Sequence, residues 1–139
     1  MARLDDLLRT SAFQVLFDDQ EVGVAWVGPL TSASDLESPP GRRSNRYATV
    51  VLRRALSTST ELFDGRRRVA GGQDDTRTVT IRQLSAPGGR VVNAWRLVGA
   101  WPVRWSGPAF DALSSEVAVE ELELQFDDLV WQGSARPSR

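Results

Sequence analysis

The chain has 139 residues, 41% of them hydrophobic and 25% charged, with a formal net charge of -1, the profile of one globular domain with no electrostatic bias toward nucleic acid. It contains neither cysteine nor histidine, which excludes disulfide frameworks, thiolate or imidazole metal sites, cysteine nucleophiles and Ser-His-Asp triads. All 17 basic residues are arginine, a side chain suited to bidentate carboxylate pairing at interfaces, although codon bias accounts for the same composition.

The first nine residues carry Asp5 and Asp6 and no apolar core, so no signal peptide is expected. No apolar run approaches the roughly 20 residues a membrane span needs, so no membrane insertion is expected. Phe13, Val15 and Phe17 alternate, as do Val22, Val24 and Trp26 after Asp18-Asp19-Gln20-Glu21, which predicts a hairpin around an acidic turn. Leu30 to Asn45 is rich in Ser, Pro, Gly and Arg and reads as a loop. From Arg46 to Arg54 the chain is again rich in strand-forming residues.

The spacing Thr58-x-x-Glu61 is that of a capping box and predicts one short helix over about Ser59 to Val69, packed by Leu62 and Phe63. Gly71-Gly72 ends it, and Arg66-Arg67-Arg68 suits the negative C-terminal end of the helix dipole. Thr76 to Leu84 alternates at period two, Pro87-Gly88-Gly89 turns the chain, and Val91 to Trp101 returns as a strand. Glu116 to Phe126 alternates Leu122, Leu124 and Phe126 against Glu121, Glu123 and Gln125, giving a half-buried strand with an acidic face. The expected fold is mainly β: an antiparallel sandwich or barrel of about six to eight strands with one short flanking helix. A single domain over 1–131 and a flexible tail over 132–139 complete the layout.

Trp101, Pro102, Trp105, Gly107 and Pro108 concentrate indoles and stiff backbone within eight residues. They suggest a rigid sheet-to-sheet corner or, alternatively, a platform on which Trp101 and Trp105 stack a carbohydrate or peptide, as in a monomeric binding module. Asp111 and Glu116 are the residues a carboxylate-pair hydrolase would use, but nothing in the sequence marks them as a pair.

Four blocks in order resemble the phage-type tail tube proteins, the family that includes tube subunits of contractile injection systems. They are Tyr47-Ala48-Thr49-Val50-Val51-Leu52-Arg53-Arg54-Ala55, Ser59-Thr60-Glu61-Leu62-Phe63-Asp64, Trp101-Pro102-x-x-Trp105-x-Gly107-Pro108, and Ser115-Glu116-Val117-Ala118-Val119-Glu120-Glu121-Leu122-Glu123-Leu124. The resemblance runs over roughly Tyr47 to Leu129. It implies a structural, non-enzymatic subunit without cofactor, assembled in the bacterial cytoplasm into hexameric rings that stack into a hollow inner tube. It also implies sheath and baseplate or spike proteins as partners, and passage of effector protein or DNA through the lumen. Arg42, Arg43, Arg46, Tyr47, Arg53 and Arg54 are the candidate subunit interface, and Glu121, Glu123, Gln125 and Asp127 the candidate lumen lining. The chain departs from the family pattern between Thr31 and Asn45, where main tube subunits carry a longer connection with an extended hairpin. Gly65 also stands at a tryptophan position of the family helix. These departures suggest a compact tube variant, or one at the baseplate or terminator end of a tube.

Overall fold

The structure is a computed structural model that describes residues 8, 10–31, 48–74 and 76–133. Among these the strands are β1 (Phe13–Phe17), β2 (Gln20–Val22), β3 (Trp26–Val27), β4 (Ala48–Ala55), β5 (Arg77–Leu84), β6 (Val91–Ser106), β7 (Val119–Phe126) and β8 (Asp128–Gln132). One helix, α1 (Glu61–Ala70), lies between β4 and β5. All strand pairs are antiparallel, in the order β2-β1-β5-β6-β7-β4-β3, with β8 also paired to β6. The sheet does not close by hydrogen bonds. Its two ends, β2 and β3, are instead joined covalently through Gly23, Val24 and Ala25. No helix among the described residues is long and apolar enough to cross a membrane.

Strand β6 spans 16 residues and serves both halves of the sheet. Its first half pairs with β5 and β8, its second with β7. The register against the β7–β8 partner is unbroken across the change, from Val98 opposite Asp128 to Trp101 opposite Gln125, so one long two-stranded ribbon turns the corner. The corner is Gly99. Its φ is +66°, a left-handed value that L side chains rarely adopt, and a Cβ there would lie 2.4 Å from Asp127 Oδ2. The folded sheet encloses a core in which Val15, Val79 and Leu97 from one half face Leu52, Leu122, Leu124 and Phe126 from the other.

The expected fold class holds, as do the hairpin, the helix, and the strands at 48–55, 77–84 and 119–126. Three readings are corrected. The rigid corner sits at Gly99 and not in the Trp-Pro block, because residues 101–106 continue β6. Beyond Ala100 this strand has one neighbour among the described strands, β7, a setting in which Pro102 and its missing N–H are tolerated. The hairpin's return strand ends at Val22, and Trp26 has moved to the other end of the sheet, opposite Arg53. The capping box does not form: Thr60 is the N-cap, its hydroxyl donates to Asp64, and the Glu61 carboxylate is taken up by Arg54. Strand β8 ends at Gln132, and residues 134–139 of the expected tail lie outside the described residues.

Replacing Gly99 by alanine adds the cost of a left-handed non-glycine residue, about 1 to 2 kcal/mol, to a clash with Asp127. Urea titration should show Gly99→Ala losing about 2 kcal/mol or more. The double variant with Asp127→Ala should recover only the part due to the clash.

Candidate functional site

The motif residues do not converge on one surface. A bulge between Pro102 and Arg104 shifts the alternation of β6, so that Trp101 lies opposite Gln125 while Trp105 lies opposite the buried Leu122. An even spacing of four would place both indoles on one face, but the bulge puts them on opposite faces. Trp105 packs edge-on against Phe63 of α1 at 5.0 Å between centroids. It also crowds Gly107, where a Cβ would lie 2.9 Å from its ring. The two indoles therefore do not form a shared stacking platform, which removes the basis for the monomeric binding module.

Beneath the helix lies a group the sequence reading did not single out. Glu120 is 1% exposed, on the same inward face as Leu122, Leu124 and Phe126. Its carboxylate accepts from Trp105 Nε1 at 2.9 Å and from Arg54 Nε at 3.0 Å. Arg54 also donates through Nη1 to Glu61 at 2.6 Å. Burial by itself depresses the Arg54 pKa, yet its hydrogen bonds to Glu61 and Glu120, with their charges, outweigh it and hold the guanidinium above its ordinary value. One buried carboxylate thus links β4, β6, β7 and the first turn of α1. Parity was the available signal: Glu120 is in phase with the inward leucines.

The outward face of the second half carries three cross-strand rows. Trp26, Arg53, Glu121 and Ser106 form the first, with the Arg53 guanidinium 4.2 Å over the Trp26 ring and bonded to Glu121. Val51, Glu123 and Arg104 form the second, and Thr49, Gln125 and Trp101 the third. The face read as acidic is therefore mixed in charge, since Arg53 and Arg104 interleave with the carboxylates. Asp127 stands apart from these rows, at the Gly99 corner. Of the candidate interface arginines, Arg54 is committed inside the subunit and Arg53 is half exposed. Arg42, Arg43, Arg46 and Tyr47 lie outside the described residues.

Large apolar side chains remain uncovered elsewhere. Phe110, Leu113 and Val117, in the loop between β6 and β7, are 87%, 97% and 75% exposed. Trp131 on β8 stacks on Trp95 and donates to Asn93, but is largely open to solvent. Strands β2, β3 and β8 each have one described strand partner and leave one edge unpaired by any described strand. Unpaired edges and clustered apolar groups are features that copies of a chain or other partners cover.

The family model described as T4-like virus tail tube protein gp19 matches residues 10–130. Among solved structures, a chain of the sheath-tube complex of an extracellular contractile injection system, PVC, in its extended state shares 24% identity, with a TM-score of 0.80 over 94% of this chain and 94% of that one. A chain of the sheath/tube terminator of the same system shares 24% identity, with a TM-score of 0.79 over 91% of this chain and 97% of that one. A chain of the tube-terminating cap of the anti-feeding prophage shares 21% identity, with a TM-score of 0.77 over 92% of both. No curated protein matches the sequence.

Glu120→Ala leaves the largely buried Arg54 with Glu61 alone and the Trp105 indole N–H without its acceptor, and should cost about 3 kcal/mol. Glu61→Ala removes only a half-exposed partner and should cost about 1 kcal/mol or less. Chemical denaturation of both variants checks the ranking. Equal losses would contradict the central place given to Glu120.

Proposed function

The chain belongs to the T4-like virus tail tube protein gp19 family, and on that premise we propose that it assembles into hexameric rings that stack into the hollow inner tube of a contractile particle. The family is structural, and the subunit acts by self-association and without catalysis. The observation that carries this reading is an open sheet with unpaired edges at β2, β3 and β8, together with an apolar loop that the subunit leaves uncovered. Head-to-tail contact that closes on itself covers such features by symmetry, and a ring leaves no copy with an unmatched surface.

The mixed face of Glu121, Glu123 and Gln125 with Arg53 and Arg104 suits the lumen wall. Alternating charges present a hydrated surface to passing effector protein or DNA with no net field to hold it. Arg53, which already bridges Trp26 and Glu121, belongs to the rim where that wall meets a neighbouring copy. Sheath and baseplate or spike proteins are the further partners, and assembly takes place in the bacterial cytoplasm. The short Thr31 to Asn45 connection favours a compact variant or a subunit at one end of the tube.

Negative-stain imaging and light scattering of the purified chain test this. Six-membered rings or short stacks are the expected outcome. Long, uniform tubes formed by this chain alone would contradict the end-of-tube position, and a monomer at every concentration would contradict assembly altogether.

A further inference from the structure

A cavity of about 240 Å³ opens between the β1–β2 hairpin, α1 and the bend of β6. Its wall is mixed: Val22, Val79, Leu122 and Pro102 contribute apolar surface, and Arg68 and Arg77 contribute charged side chains. Gly65, a buried helix residue, also lines it. A glycine within a helix costs about 1 kcal/mol relative to alanine. The space is ample for a phenyl or isobutyl group, because benzene enters an apolar cavity of about 150 Å³.

Charge marks what fits there. Of the helix-end arginines, Arg68 lines the cavity and already has a partner, whereas Arg67 is exposed at an adjoining depression with Asp64, Gly71 and Gln73. The acidic residues at this rim, Glu61 and Asp64, are already engaged by Arg54 and Thr60. The loop over residues 107–118 has the complementary character: Phe110, Leu113 and Val117 are exposed, and its only charged residues are Asp111 and Glu116. This loop leaves the sheet at the end of β6, past Trp105 and beyond the cavity-lining Ala100 and Pro102. Phe110 and Leu113 stay almost wholly exposed, so they do not fill their own subunit's cavity.

We propose that the acidic, apolar loop over residues 107–118 of one copy docks into the cavity beside helix α1 of the next copy, with Phe110 or Leu113 entering it and Asp111 and Glu116 facing the exposed Arg67 at the helix end. The contact joins two different surfaces, so it propagates head to tail and closes only as a ring or continues as a stack. It rests on the reading that copies of this chain associate, and it adds which surfaces meet.

The absence of cysteine gives a clean background for cross-linking. Leu113→Cys and Arg67→Cys are made as separate chains, mixed under assembly conditions and treated with a short bismaleimide. A linked dimer should form in the mixture and not in either variant alone, and the double variant should give a ladder of linked multimers. Linkage within a single-variant sample, or only an intramolecular product from the double variant, would overturn the proposal. A second variant, Phe110→Ser with Leu113→Ser, alters exposed positions only. It should keep the wild-type melting temperature while raising the concentration needed for half-assembly at least tenfold, and unchanged assembly would overturn the proposal. Particles that form normally without cross-links sink the docking alone, whereas failure of the unmodified chain to associate at any concentration sinks the tube reading with it.

Discussion

The subunit depends on one buried carboxylate. Glu120 sits where the alternation of β7 calls for an apolar residue, and three elements meet around it. The Trp105 indole donates from β6, Arg54 donates from β4, and Arg54 in turn holds Glu61 at the start of α1. Removing a charge from water costs several kcal/mol, a cost offset here only because both donors are present together. The arrangement works as a geometric lock: helix, indole and two strands share one arrangement that keeps all its bonds. One Arg54 nitrogen, Nη2, is buried with no hydrogen-bond partner among the described residues, so the lock is not saturated by them.

That lock and the Gly99 corner have complementary effects. The corner folds one long ribbon so that a single eight-stranded sheet wraps around its own core, and the lock seats the helix over the second half of that sheet. What remains outside follows from these two constraints. The strands that run out of partners become edges, and the β6–β7 connection projects from the sheet with its apolar residues uncovered. A bridged, mixed-charge row, Trp26–Arg53–Glu121, crosses the outward face. A subunit with a well-determined interior and unfinished margins is the form that assembly requires, which accords with membership of a tail tube family.

Much of this fold was legible in the sequence because strand alternation and turn chemistry are local. The strands at 77–84 and 119–126 and the helix near Leu62 follow directly from their periods. The missed features are those set by long-range pairing. Residues 26–27 and 128–132 are short or irregular in pattern and become strands only because β4 and β6 offer them edges. The Trp-Pro block resembles a corner by composition, yet the turn falls two residues earlier, where Asp127 leaves room only for a glycine. A single bulge then reverses the faces of Trp101 and Trp105, an event that no spacing rule reveals. Glu120 was marked by its parity, but a carboxylate in phase with leucines reads as noise until its two donors arrive from distant strands.

Amide hydrogen exchange, compared between dissociated subunits and assembled particles, tests most directly whether neighbouring copies complete these margins. Those amides of β8 (Asp128–Gln132) that point away from β6, and the amides of the loop over residues 107–118, should exchange freely in the solitary chain and slow in the particle, while the core strands change little. Equal exchange at those margins in both forms would contradict completion by neighbouring copies.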